Sequence, residues 1–172
     1  SSYRLRDGNT VTSLPGSEEE VKTILTIFDN NDKKAEINLF NKANENNLKS
    51  CNLSDFKYIH FATHGFVNEI KPELSGIILA QDTTSKFEGY ENIYGNVAHQ
   101  NDGILYQSEI YNLKLNSDLV VLSACETGLG KISEGEGVIG LTRALLYAGT
   151  DNIIVSLWKV SENSWKPVLV LT

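Results

Sequence analysis

The sequence has no methionine and only two cysteines, Cys51 and Cys125. Two cysteines are too few for a disulfide framework, and a single bridge would consume the one cysteine that ends an apolar strand-like run. We therefore expect reduced thiols. Because even an initiator methionine is missing and residues 168–172 form an abrupt apolar end, we also expect further sequence on both sides of the chain.

Positive charge is also scarce. The chain has 15 Lys and Arg against 22 Asp and Glu, a net charge of -7, and so offers no basic surface for a phosphate backbone or an anionic lipid. No apolar run approaches the roughly 20 residues of a spanning helix, and residues 1–10 lack the apolar core of a signal peptide. We therefore expect a soluble cytoplasmic protein that binds neither nucleic acid nor membrane, folded as one domain over residues 1–172.

The sequence does contain short, continuously apolar runs that alternate with helical patterns. The predicted strands are 35–40, 58–63, 76–80, 119–122 and 152–158; the predicted helices begin at Ser17, 41, 107 and 138, and 82–101 is a long polar loop. Strands that are apolar on both faces occur in parallel sheets covered by helices. The pattern therefore predicts an α/β fold with a mainly parallel sheet.

Two of these apolar runs end in reactive side chains. One run stops at His64 and Gly65, and the other stops at Cys125 before a polar, turn-rich segment. Loops at the carboxyl ends of neighbouring parallel strands share one crevice, so the imidazole and the thiol are expected to lie side by side. An imidazole increases the thiolate fraction of a cysteine or takes its proton during attack, and Gly65 lets its backbone N–H approach a carbonyl.

Each reactive residue also has a purely structural interpretation. A cysteine that ends a buried strand is a small apolar filler in about half of such cases. His60 lies within the strand and is expected to be a hydrogen-bonded core residue, His99 is expected to face solvent, and Cys51 has no strand end or His-Gly pair beside it.

Nucleotide and metal sites are the competing interpretations. Residues 135–140 match G-x-G-x-x-G, but they lie about a dozen residues past the strand, and Glu136 would repel a pyrophosphate. Gly130 and Lys131 resemble the end of a P-loop, but this chain has different residues at other positions that the motif requires. Cys125, His64 and carboxylates lack the short paired spacing of a zinc site. We therefore expect no metal and no cofactor.

Several blocks of the chain resemble the CHAT domain, a caspase-like peptidase commonly fused to TPR repeats. In order they are HFATHG at 60–65, SGIILA at 75–80, DGIL at 102–105, EI at 109–110, DLVVLSACETG at 118–128, GEG at 135–137 and SLWKV at 156–160. The resemblance runs from about residue 14 to 160 and implies a caspase-like α/β/α sandwich. It also implies a cysteine endopeptidase with a His64 and Cys125 dyad, and TPR repeats or another regulatory domain outside this chain.

The resemblance implies further roles. The N–H groups of Gly65 and Cys125 would bind the oxyanion, and the reaction would pass through a thioester formed with a protein substrate. Ser123 would line the primary specificity pocket, where a small uncharged residue offers no ion pair. Glu109, Asp102 and Asp82 are candidate acidic pocket residues, although capping or solvation explains each one more simply.

The C-terminal segment departs from the family pattern. Pro167 interrupts the region where the family continues into a helix that packs on the sheet, so we expect the closing helix and strand to be missing or altered. A non-catalytic scaffold or partner-binding module of the same fold therefore stays open as the alternative function.

Overall fold

The computed structural model describes residues 2–4, 10–12, 17–31, 33, 35–68, 71–80, 101–126, 136–155 and 168–171. Only the backbone is described for residues 2–4, 10–12, 17, 18, 66, 124–126, 136–138 and 168–171. The strands are β1 Ser2–Arg4, β2 Thr10–Thr12, β3 Glu36–Leu39, β4 Tyr58–Phe66, β5 Gly76–Ile78, β6 Ile104–Tyr106, β7 Leu119–Glu126, β8 Ile153–Val155 and β9 Val168–Leu171. The α-helices are α1 Ser17–Asp29, α2 Glu45–Ser50, α3 Gln107–Ile110 and α4 Glu136–Ala148.

Seven of these strands form one sheet, and β1 and β2 form a separate antiparallel pair. Strand β4 pairs in parallel with β7 along its length, and β7 pairs in parallel with β8. The other edge of β4 pairs antiparallel with β9 over its first half and with β5 near its end. Five of the seven strands (β3, β4, β6, β7 and β8) run in one direction, as predicted for a mainly parallel sheet. Strands β5 and β9 run in the opposite direction, so the pairs that they form with their neighbours are antiparallel.

Side chains along a strand alternate between the two faces of the sheet, and helices pack on both faces. Ile59 and Phe61 of β4 lie in one buried cluster together with Ile110 of α3 and Leu145 of α4. Ala62, on the opposite face, packs with Val21 of α1. The predicted α/β class and the three-layer α/β/α arrangement are therefore confirmed.

The C-terminal strand differs from the expectation based on Pro167. Residues 156–167 lie outside the described part, but 168–171 form β9, which lies between β3 and β4 in the sheet. A strand therefore occupies the place where we expected a missing or altered closing element. Among the helices of the described residues, none is long and apolar enough to cross a membrane.

Candidate active site

His64 and Cys125 occupy paired positions at the carboxyl ends of β4 and β7. The two strands are parallel, and the register pairs the Cα of His64 with that of Cys125 and the Cα of Gly65 with that of Glu126. Neighbouring strands lie about 4.8 Å apart, and paired positions lie on the same face of a sheet. The structure therefore brings together the backbone positions of two residues that are 61 apart in sequence.

The His64 side chain is buried, with 5% of its surface exposed. Strand β5 lies on the edge of β4 opposite β7, where Ile78 is the Cα partner of His64. The side chain of Cys125 lies outside the described part, so the structure relates these two residues through their backbone positions. The base and the nucleophile remain predicted roles for His64 and Cys125.

The direction of the backbone N–H groups in β7 follows from two hydrogen bonds near its start. Leu119 N donates to Lys57 O at 3.2 Å, on the side of β4, and Val120 N donates to Asn152 O at 2.9 Å, on the side of β8. N–H groups alternate between the two edges of a strand. Odd-numbered residues of β7 therefore direct their N–H groups at β4.

The same alternation gives the direction of the N–H groups of Gly65 and Cys125, the predicted oxyanion donors. Continued through the register of β4 and β7, it directs the Cys125 N–H at Thr63 O and the Gly65 N–H at Cys125 O. Both groups are thus positioned as donors within the sheet. The oxyanion-binding role of Gly65 and Cys125 stays a prediction, and it requires these two N–H groups to leave the ladder.

The predicted pocket residues lie in different places. Ser123 is buried, with 7% of its surface exposed, and its Cα partner is Ala62. These two residues lie two positions before Cys125 and His64 on the same strands, and therefore on the same face of the sheet. Asp82 lies outside the described residues. Asp102 is also buried, and its Oδ1 accepts a hydrogen bond from Ile104 N at 3.0 Å, as expected of a local turn.

Glu109 caps α3 and belongs to a buried charge cluster. Its Oε2 accepts a hydrogen bond from Tyr106 N at 3.0 Å, and its Oε1 lies 2.7 Å from Lys49 Nζ. It also borders a groove of about 520 Å³ between α2 and α3, whose described lining includes neither His64 nor Ser123. The structure therefore shows the capping role, and a role for Glu109 in a substrate pocket stays a prediction.

Lys49 and Glu45 complete this cluster, which was not predicted from the sequence. Lys49 Nζ lies 2.8 Å from Glu45 Oε1, and Gly103 N donates to Glu45 Oε2 at 2.5 Å. The spacing of Glu45 and Lys49, one helical turn apart, was a visible signal for an ion pair. Their link to Glu109, 60 residues beyond Lys49, could not be read from local pattern.

Burial and pairing oppose each other in the pKa values of this cluster. Burial raises the pKa of Glu45 above its usual value and outweighs the opposing contacts with Lys49 and Gly103. Burial alone would lower the pKa of Lys49, but its contacts with Glu109 and Glu45 outweigh burial and raise it. Lys49 therefore remains charged at neutral pH.

The remaining cysteine and histidine candidates are separate from the dyad. Burial raises the pKa of the Cys51 thiol, and the carboxylate of Glu36, 3.9 Å from Sγ, raises it further. His60 Nε2 lies 3.2 Å from Glu20 Oε1 on α1. His99 is outside the described part, within which no group of three or more His, Cys, Asp or Glu side chains is arranged to hold a metal ion.

Comparisons with known proteins identify the family of this chain. The chain is 27% identical over 130 residues to tetratricopeptide repeat protein 28 of Mus musculus and 28% identical over 130 residues to that of Homo sapiens. These matches cover 63% of the chain, which spans about 5% of the length of either relative. No solved structure matches. The family model of the CHAT domain matches residues 4–167, so the chain belongs to the CHAT domain family and has its caspase-like fold.

Proposed function

We propose that this domain is a cysteine endopeptidase in which Cys125 is the nucleophile and His64 the base. The observation that carries the proposal is the pairing of these two positions at the ends of adjacent parallel strands. Membership of the caspase-like CHAT family supports the same assignment. A thiol and an imidazole on one edge of a sheet are the two groups that nucleophilic acyl transfer requires.

The reaction follows from these groups. The Cys125 thiolate attacks the carbonyl carbon of the scissile peptide bond, and the N–H groups of Gly65 and Cys125 bind the oxyanion. The His64 imidazolium protonates the leaving amine as the C–N bond breaks, which leaves a thioester on Cys125. His64 then takes a proton from water as the water attacks the thioester, and the acid product and the free thiol are released.

The substrate is a protein, and its recognition involves the surroundings of the dyad. Ser123 lies one alternation before Cys125 and carries no charge, so it favours an uncharged P1 side chain. Acidic side chains at Glu109 or Asp82 would change that preference only if they reach the same pocket. The names of the two relatives support TPR repeats as companions of this domain, and a reduced thiol suits a cytoplasmic location.

The test uses the full-length protein and an unbiased peptide library. Cys125→Ala should abolish cleavage, and His64→Ala should slow it by about 10²- to 10⁴-fold, the usual contribution of a general base. Cys51→Ala is the matched control because its thiol has a raised pKa and should not contribute. Undiminished cleavage by the Cys125→Ala protein would rule out the proposal.

A non-catalytic scaffold is the second candidate. The continued pairing of β4 and β7 favours it, because N–H groups directed into a ladder are not free to bind an oxyanion. A peptidyl acyloxymethyl ketone separates the two candidates: the Cys125 thiolate displaces the carboxylate from this reagent and forms a stable thioether. A thioether on Cys125 that His64→Ala abolishes would exclude the scaffold, whereas labelling that ignores His64 would favour it.

A further inference from the structure

His64 has a sheet neighbour on each side, and only one of them is Cys125. On the other side, strand β5 pairs antiparallel with the end of β4, and Ile78 is the Cα partner of His64. The side chains of such partners lie on the same face, with Cβ atoms about 4.5–5.5 Å apart. Cys125, His64 and Ile78 therefore occupy one row across three strands, with His64 in the middle.

The backbone fixes the position of Ile78 beside His64. Leu79 N, directly after β5, donates to Gly103 O at 2.8 Å on the side of β6. Backbone polar groups alternate between the two edges of a strand, so those of Ile78 are directed at β4. The side chain of Thr63 adds a further contact, because its Oγ1 donates a hydrogen bond to Ile78 O.

The burial of Ile78 serves a different purpose from that of its neighbour Ile77. Ile78 is 7% exposed, but within the described residues it belongs to neither of the two hydrophobic clusters that join the sheet to its helices. Ile77 is 0% exposed, lies on the opposite face as the partner of Gly65, and belongs to the cluster that contains residues of α3 and α4. The two isoleucines thus share strand and burial and differ in the face that they occupy.

Ile104 of β6 supports Ile78 on the side away from His64. It is the Cα partner of Ile78 and lies on the same face. Gly76, two residues before Ile78, has no side chain on this face, and a Cβ there would lie 3.1 Å from Ile104 Cγ2. The Ile104 side chain therefore extends over Gly76, and Ile78 is enclosed between Ile104 and His64.

We propose that Ile78 is a positioning residue of the peptidase, whose side chain closes the space beside the His64 imidazole on the edge away from Cys125. The imidazole is then confined to the side on which the nucleophile lies. A general base must lie within hydrogen-bond reach of the proton that it takes, and a misplacement of about 1 Å can cost about 10²-fold in rate. This inference rests on the proposed peptidase function and adds what holds its base in place.

The test compares a space opened on each face of β5 in the full-length protein. Ile78→Ala should slow thioether formation at Cys125 by the peptidyl acyloxymethyl ketone about ten- to hundredfold, because the imidazole gains room to turn away from the thiol. In peptide cleavage the loss should fall on kcat and leave KM nearly unchanged, since His64 acts in the chemical step. Ile77→Ala is the matched control and should change the labelling rate by no more than about twofold, because it acts on the other face.

Protection of the β4 amides in hydrogen exchange shows that each variant is folded. If the alanine variants do not fold, Ile78→Val and Ile77→Val replace them, with a slowing of about threefold expected for the first and none for the second. Equal labelling rates for the two members of either pair would overturn the inference.

A double-mutant cycle shows whether Ile78 acts through His64. Iodoacetamide needs a thiolate but no bound peptide, so its reaction with Cys125, followed by mass spectrometry, stays measurable without His64. Ile78→Ala should slow this reaction when His64 is present and should have no effect in the His64→Ala protein, which has no imidazole to hold. The same slowing in both backgrounds would mean that Ile78 is only structural and would overturn the inference.

The outcomes separate this inference from the proposed function. If cleavage needs Cys125 and His64 but Ile78→Ala behaves like Ile77→Ala, the dyad stands and the positioning role alone is wrong. If Cys125→Ala leaves cleavage unchanged, the peptidase itself is wrong and the role of Ile78 fails with it.

Discussion

Lys49 provides the sharpest test of how the fold is held together. Its ammonium group donates to Glu45, Glu109 and Asn101, so all three of its N–H donors have partners. The side chains of Glu45 and Glu109 are 1% and 9% exposed, whereas that of Lys49 is 29% exposed. Lys49→Met would leave two buried carboxylates beside each other without a cation.

The expected cost follows from this burial. Removal of one partner from a buried ion pair costs about 3–5 kcal/mol. Because Lys49 is partly exposed, water can enter the gap, and we expect the lower end, about 3 kcal/mol. The control is Lys57→Met, which removes a pair with Asp118 at 3.4 Å in which both side chains are more than half exposed. Such a pair is worth about 0–1 kcal/mol.

The measurement is the free energy of opening at the most protected β4 amides, obtained by hydrogen exchange in the full-length protein. A second variant, Lys49→Met with Glu45→Gln, should recover part of the loss because it removes one of the two uncompensated charges. If Lys49→Met costs no more than Lys57→Met, the cluster does not stabilise the fold and the reasoning from burial fails.

Three further predictions concern single groups. The pKa of Glu45 is raised in the folded state, so the stability of the protein relative to Glu45→Gln should rise as the pH falls through that raised pKa toward 4.5. Urea midpoints between pH 4 and 7 measure this difference in stability, and a slope of the opposite sign would contradict the prediction. Glu36→Gln should speed alkylation of Cys51 by iodoacetamide at pH 8, since the carboxylate helps to raise the pKa of that thiol; an unchanged rate would show that it has no effect. Leu145→Ala should cost about 2–5 kcal/mol and its exposed neighbour Leu146→Ala less than about 1, as measured by urea unfolding, and equal losses would argue against the packing of α4.

Elements with a strong local pattern were predictable. The apolar stripe of α4 and the glycine after it predict a helix over 138–149, and the structure has α4 at Glu136–Ala148. Gly149 adopts a φ of +111°, and a Cβ there would lie 2.4 Å from Leu115 O. Glycine is the residue that tolerates such a helix end, which is why the sequence signal was reliable.

Elements defined by their neighbours were not predictable. Strands β1, β2 and β6 are three residues long, and β9 follows Pro167. The extended form of these four strands depends on the strand beside each of them, which no local pattern in the sequence reveals. The cluster of Lys49 with Glu45 and Glu109 was missed for a similar reason, since one of its three members comes from a distant segment.

The sequence by itself determined the α/β class, the CHAT family and the two strand ends that carry His64 and Cys125, because these depend on local periodicity and on residues close together in the chain. Only the tertiary structure decided that these two residues are register partners, and that the paired strands direct the N–H groups of Gly65 and Cys125 into the ladder. The physical reason is that register and hydrogen-bond direction belong to a pair of strands. Neither strand contains that information alone.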